Sequence, residues 1–437
     1  MKLESIKSFT LTFLIVVSIL LTAGLWSYQS DDEVLNDSFA TSISVGGEGN
    51  LKKSDLIGPS EITFQVDDKH YGFAKPNQSA LLFDDMHTWG LTGIQSVDRK
   101  DQITNKRQME ITFPTALPLS FLPSLFNVVE SGRLPNWSFD RIVITFIENR
   151  SELKFHFISE DEQQRLTAVV KETSKYERLW NYTTKENTDL IELLHYDKGA
   201  EPIYIPQNNV TLEKTQHTVD RIDETKLVDI LFPNTLASGT GNYYNDSEKD
   251  LRISADNLSM ELLNSKRDDS ENVQIPAGAL LDYSRQNIND YKGWTDTYKL
   301  VEINSVRRTL RYRMIYEGLP TFSTANLSVI EQEFGENGEL YHYSRPIISL
   351  KSVLPDSTSV ELRSGMEVIS YLEREYDDSE LEAIQNIKIG YDYSYNEELT
   401  LATLNPAWFM RKQDDSEWEK ISFEPKKGGA VDAMESN

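Results

Sequence analysis

An unbroken stretch without charge, Ser8 to Tyr28 (SFTLTFLIVVSILLTAGLWSY), constrains this chain more than any other feature. As a helix its roughly 21 residues rise about 1.5 Å each, enough to cover the roughly 30 Å hydrocarbon core of a bilayer. Each Leu, Ile, Val and Phe between Phe9 and Leu25 contributes roughly −0.3 to −0.6 kcal/mol at mid-span, about −3 to −7 kcal/mol together. Lys2 and Lys7 precede the run, and Asp31, Asp32 and Glu33 follow it. The positive-inside rule therefore predicts a cytoplasmic stub over 1–7, a transmembrane helix over 8–28 and an extracytoplasmic remainder. Trp26 and Tyr28 fall at the outer aromatic belt. Thr22-Ala23-Gly24 has the small residues of a signal-peptide cleavage site. The apolar run is longer than a usual signal core, however, and ends on bulky aromatics, so a retained anchor in the cell membrane is expected.

The remaining 400 or so residues suffice for two or three domains. The chain carries 70 acidic against 44 basic residues, a net charge of −26, which argues against nucleic acid as a partner and against broad docking on anionic lipid. With 39% hydrophobic and 10% aromatic residues it is nonetheless a folding sequence, not an acidic disordered one. It has no cysteine, so neither lipidation at Cys nor disulfide stapling is open to it, and stability has to come from ordinary cores.

Residues 29–54, with Gly46-Gly47-Glu48-Gly49, read as a tether. An N-terminal α+β domain is expected over 55–200. Ile62, Phe64 and Val66 alternate ahead of a turn and His70-Tyr71-Gly72-Phe73. A helix follows from Asn77 or Ser79 through Trp89, then a strand at Met109, Ile111 and Phe113. The clearest hairpin is Arg141 to Ile158, turning at 148–151. A strand at 166–170 and a helix near Thr188–His195 complete this unit. A middle domain over 201–296 holds a helix from Glu224 to Phe232, strands near 251–253 and 258–263, and a helix opened by Pro276. In the third unit, 297–425, strands at 298–303 and 310–316, 327–334 and 340–343, and 387–395 with Leu399 and Leu401 form hairpins. Ser364 and Glu367 have capping-box spacing ahead of a helix. Residues 426–437 read as a disordered tail. Hairpins with separate helices make the fold class α+β with antiparallel sheets.

No catalytic signature is present. The six histidines show no His-x-x-x-His spacing, and there is no Gly-x-Ser-x-Gly. Gly239-Thr240-Gly241 lacks a third glycine and reads as a turn. Asp246, Glu248 and Asp250 alternate like calcium ligands, but Leu251 and Asn257 stand where an EF-hand needs Gly and Glu. Asp84-Asp85, Asp377-Asp378 and Asp414-Asp415 read as solvated turns. No cofactor or metal is expected. Two partner surfaces are. Ser8, Thr12, Ile15, Ser18, Ile19, Thr22 and Trp26 fall on one face of the apolar helix, where small and hydroxylated residues let helices meet in lipid. Arg307, Arg311 and Arg313 share parity and would line one face of a strand as a docking row for an acidic partner, or pair with the chain's own carboxylates.

Leu25-Trp26-Ser27-Tyr28-Gln29 followed by Glu33-Val34-Leu35 resembles the start of the YycH family of Gram-positive bacteria, as does Lys69-His70-Tyr71-Gly72 after an early strand. Gly318-Leu319-Pro320-Thr321-Phe322 and Leu404-Asn405-Pro406-Ala407-Trp408 resemble strand ends in the C-terminal unit that YycH shares with YycI. The resemblance implies a three-domain ectodomain whose later domains are YycI-like. It also implies a non-enzymatic accessory regulator of the essential sensor histidine kinase of cell-wall metabolism, acting with YycI and touching the kinase largely through transmembrane helices. The alternative is an anchored cell-wall-modifying enzyme or wall-ligand-binding protein, which requires carboxylates converging in a cleft.

Overall fold

The computed structural model describes residues 44–97, 103, 105–130, 132–184, 189–199, 202–233, 238–265, 274–413 and 417–423. The apolar stretch 8–28 and the tail 426–437 lie outside them. Among the described residues no helix is long and apolar enough to cross a membrane.

Alternation of apolar and polar residues builds a ten-stranded sheet from the first part of the chain. Its order is Ile203–Pro206, Leu190–Tyr196, Lys69–Phe73, Glu61–Val66, Arg107–Pro118, Ser138–Ile147, Glu152–Ile158, Arg165–Val170, Gly90–Val97 and Asn127–Val128. Ile62 and Phe64, Met109 and Ile111, Ile142 and Ile144, Phe155 and Phe157, Leu166 and Ala168 are all buried on one face. The helix Asn77–Met86 buries Leu82, Phe83 and Met86, and the helix Thr173–Tyr182 buries Tyr176 and Leu179. Phe83 meets Phe113 edge-on, and Phe146 meets Tyr176 and Trp180, so both helices close this face. Each of the buried phenylalanines among them is worth roughly 1.5–3 kcal/mol. The opposite parity carries Gln65, Gln108, Glu110, Thr145, His156 and Thr167.

A fifteen-stranded sheet takes the rest. A meander from Ser238–Thr240 to Ser259–Asn264 joins Leu340–Pro346, then Val329–Phe334 and Thr309–Tyr316. Leu319–Phe322 pairs in parallel with Ile384–Asn396, whose long hairpin with Leu401–Lys412 leads to Val210–Arg221. The helix Ala277–Asp290 buries Leu280, Leu281 and Ile288. The helix Gly365–Glu375 buries Val368 and Leu372 under the Ser364–Glu367 capping box, which is present with both of its hydrogen bonds.

The expected hairpin Arg141–Ile158 has the register Arg141↔Ile158 through Ile147↔Glu152, turning at 148–151 as its alternation implied. The stretch expected to be a helix near Thr188–His195 is instead the strand Leu190–Tyr196. It pairs with Lys69–Phe73 on one side and Ile203–Pro206 on the other. Two ladders of backbone hydrogen bonds decide this apolar run, whose periodicity fits either state. Leu399 does not return as a strand residue; it lies in the turn, 60% exposed, and the strand begins at Leu401. The helix Thr173–Tyr182 carries a weak sequence signal, because it is polar apart from Tyr176, Leu179, Trp180 and Tyr182.

Residues 44–51, in the stretch expected to be a tether, are seated on the C-terminal half of the chain. Val45 N–H donates to Tyr291 O at 3.0 Å and Gly47 N–H to Lys292 O at 2.9 Å, while Glu48 and Trp294 exchange backbone hydrogen bonds. Gly47 has to be glycine here, since a Cβ would stand 2.4 Å from Trp294 O.

Candidate functional site

Between this seated segment, the N-terminal helices and the strand at Tyr298 lies a cleft of about 710 Å³. Its chemistry comes from Glu48 and Asp55 on the entering chain, Asp84 and His87 at the end of the helix Asn77–Met86, and Asp296 and Lys299 beside Trp294. Lys299 reaches in from the strand Tyr298–Asn304, and its Nζ donates to Asp55 O at 2.7 Å. Burial pulls its ammonium below the usual lysine range, while Asp84 and Asp55 favour the charge. Burial likewise lowers the His87 imidazole, whose Nε2 is enclosed without a hydrogen-bond partner. Asp55 is partly engaged as a helix-capping carboxylate, its Oδ2 accepting Lys52 N–H at 2.7 Å.

Asp296 links the cleft to the interior. Its Oδ1 accepts Leu350 N–H at 3.0 Å, and burial pushes its carboxyl up to about 6 against that hydrogen bond and the Arg345 charge. Arg345 itself is 1% exposed behind the cleft wall. Its Nη1 donates to Tyr343 OH at 3.2 Å, its Nη2 to Thr295 Oγ1 at 3.1 Å and its Nε to Pro346 O at 3.1 Å. Tyr343 OH in turn bonds Tyr291 OH. The arrangement holds a cation under the cleft with Asp296 as a nearby carboxylate, a framework suited to holding polar or charged groups.

A carboxyl with a raised native pKa binds more protons folded than unfolded, so its contribution to stability falls as pH rises from about 4 to about 6. Asp296→Asn keeps the oxygen that accepts Leu350 N–H and removes the ionisation. The urea midpoint of the variant relative to wild type is expected to rise across pH 4 to 6 and level off above it. A difference that stays flat with pH would show that folding leaves the ionisation of Asp296 unshifted.

The expected arginine row is divided. Arg307 is exposed in the turn 305–308, off the strand. Arg311 is partly buried, paired with Glu331 at 2.9 Å and Glu417 at 3.4 Å. Arg313 is 5% exposed, its Nη1 donating to Thr321 O and its guanidinium 4.7 Å from the Phe322 ring. Lys388 and Arg411 lie over Trp418 nearby, at 4.8 and 5.3 Å. Burial lowers the Lys388 ammonium and raises the Glu61 carboxyl, on the N-terminal sheet, while each charge partly sustains the other.

Ser8, Thr12, Ile15, Ser18, Ile19, Thr22 and Trp26 lie outside the described residues. The Gly239-Thr240-Gly241 stretch forms a two-residue hairpin turn, Gly241-Asn242, between Thr240 and Tyr243. Asp246 Oδ1 accepts Glu248 and Lys249 N–H, a turn-stabilising role. Asp85 accepts Trp89 Nε1 and Arg178 Nη1, tying one helix to the next, and Asp377 caps the helix Asp378–Glu382. Among the described residues no three of His, Asp and Glu are placed to hold a metal ion. The cleft has no local signature, since its lining comes from segments far apart in sequence, and the enclosure of Arg345 depends on Thr295, Tyr291 and Tyr298, some 50 residues before it.

Two family models match the chain: "YycH protein, N-terminal domain" over residues 4–188 and "YycH protein, C-terminal domain" over residues 200–428. A curated relative from Bacillus subtilis (strain 168), the "Two-component system WalR/WalK regulatory protein YycH", is 23% identical over 444 residues, covering 94% of this chain and 95% of its own. Among solved structures, the crystal structure of YycH from Bacillus subtilis superposes with a TM-score of 0.71 at 20% identity, covering 86% of this chain and 99% of that one. At that identity the superposition speaks for the fold.

Proposed function

The chain belongs to the YycH family, and from that premise we propose that it regulates an essential cell-wall sensor histidine kinase from the outer side of the cell membrane. In this reading residues 8–28 are a single span with the N-terminus in the cytoplasm. A YycI-type protein is the companion, and contacts run through both the span and the ectodomain. The ectodomain acts as units over 55–200, 201–296 and 297–425, without catalysis. The observation that carries the proposal is the likeness, over nearly the whole of both chains, to a protein named as a WalR/WalK regulator. The N-terminal family model begins at residue 4 and so takes in the apolar stretch that this reading makes the span.

To regulate at all, the chain has to bind one state of the kinase better than the other. The face Ser8, Thr12, Ile15, Ser18, Ile19, Thr22 and Trp26 is proposed to supply that preference. Contacts of this kind are worth about 0.6–2 kcal/mol each in lipid. Ser18→Leu with Thr22→Leu is expected to lower co-purification of the kinase and the YycI-type partner by roughly fivefold or more, and to shift output of the cell-wall regulon. No change in either would sink the helix-face mechanism. The carboxylates of the cleft favour, as a second reading, an anchored binder of a wall ligand. Binding of wall fragments by the ectodomain with no effect of the chain on kinase output is the result that would select it.

A further inference from the structure

The chain leaves the apolar stretch at Tyr28 and, before contributing any strand to the N-terminal sheet, crosses the other half of the ectodomain. Its strap, Ser44–Leu51, lies along the end of the helix Ala277–Asp290 and the backbone of 291–294. Besides the backbone hydrogen bonds at Val45, Gly47 and Glu48, the Leu51 carbonyl accepts Arg285 Nη1 at 3.2 Å and Asn289 Nδ2 at 3.0 Å. Val45 and Leu51 pack on the core, whereas Gly46, Glu48 and Asn50 are exposed. Gly49, like Gly47, has no room for a side chain, with Asn289 O 2.8 Å from where its Cβ would be. Just beyond the strap, Lys53 is paired with Asp282 at 2.7 Å. The strap also forms one wall of the cleft.

We propose that this strap is the coupling element between the membrane-proximal chain and the C-terminal half of the ectodomain, and that its release cuts regulation while both sheets stay folded. The inference rests on the regulatory reading above and adds the route. Anything transmitted along the chain from the membrane meets Arg285, Asn289 and Trp294 before it meets the N-terminal sheet. A segment held by a few hydrogen bonds to the turn 291–294 and to Arg285 and Asn289, with alternate residues in water, opens locally at lower cost than the sheets beneath it. The two closely fitted glycines set a single seating and permit its loss by one added side chain.

Gly47→Val in the full-length chain, in membranes with its kinase, tests this. Hydrogen exchange at 45–51 is expected to quicken by about tenfold or more while the strand Thr309–Tyr316 keeps its protection. Kinase-dependent output should then move to the level of a strain lacking the chain, and Asn50→Ala should behave as wild type. Should Gly47→Val fail to fold, Arg285→Ala with Asn289→Ala removes both donors to Leu51 O and carries the same expectation. A released strap with wild-type output overturns the inference, as does a strap that stays seated in both variants. A strain lacking the whole chain with unaltered output overturns the regulatory reading itself, and is told apart because it needs no strap variant.

Discussion

Arg345→Ala is expected to cost about 3–5 kcal/mol of folding stability, from the cavity it opens and the buried acceptors it leaves without a donor. The guanidinium is 1% exposed and donates to Tyr343 OH, Thr295 Oγ1 and Pro346 O. Deleting it leaves those acceptors enclosed, opens a cavity beside Tyr291 and Tyr298, and leaves Asp296 without the positive charge that favours its ionisation. Gly293 shows how little slack the surroundings have, since a Cβ there would meet Tyr291, Ile288 and Arg345 Nη1 at 3.0 Å or less. Arg345→Met separates charge from volume. It refills most of the space without the charge, and is expected to cost no more than about half as much as the alanine change. Urea titration of the protein reads both. An alanine variant within about 1 kcal/mol of wild type would mean that the tyrosine shell does not depend on the cation.

The sequence made legible what local patterns determine. Alternation placed Arg141–Ile158 in register, Ser364 and Glu367 marked a helix start to the residue, and Pro276 opened the helix that buries Leu280, Leu281 and Ile288. Where the outcome depends on a distant partner, the same patterns were silent or misleading. The run Leu190–Tyr196 has enough leucine and isoleucine for either state and became a strand because Lys69–Phe73 and Ile203–Pro206 flank it. Gly46-Gly47-Glu48-Gly49 looks like a free linker until Trp294 is brought against it, about 250 residues later in the chain. The parity of Arg311 and Arg313 is that of strand neighbours, but nothing near them announces that Glu331 pairs with one and Phe322 covers the other. The cleft belongs wholly to this second class, since its carboxylates come from three separate segments.

Gly318→Val should have an effect of similar size, about 3 kcal/mol or more, from two causes that act at one atom. Gly318 belongs to the motif Gly318-Leu319-Pro320-Thr321-Phe322, one of those on which the family resemblance was drawn. Glu317 at φ 48° and Gly318 at φ 82° form the two-residue loop between the paired residues Tyr316 and Leu319, a type I′ hairpin turn that needs positive φ at both positions. The turn is also pressed against the start of the helix Asn77–Met86. A Cβ on Gly318 would lie 2.5 Å from Asn77 N and 2.6 Å from Pro76 C, backbone atoms that cannot swing aside. The glycine is thus where the C-terminal sheet touches the helix that carries Asp84 and His87 into the cleft. Valine there has to displace that helix as well as strain the turn. Faster hydrogen exchange along 77–86 should therefore accompany the fall in urea midpoint. Glu317→Asn isolates the turn alone, because asparagine accepts positive φ readily and the position is exposed; it should be neutral or slightly stabilising. A valine variant that loses stability with the helix 77–86 still fully protected would assign the whole cost to the turn and remove the contact between the halves from the account.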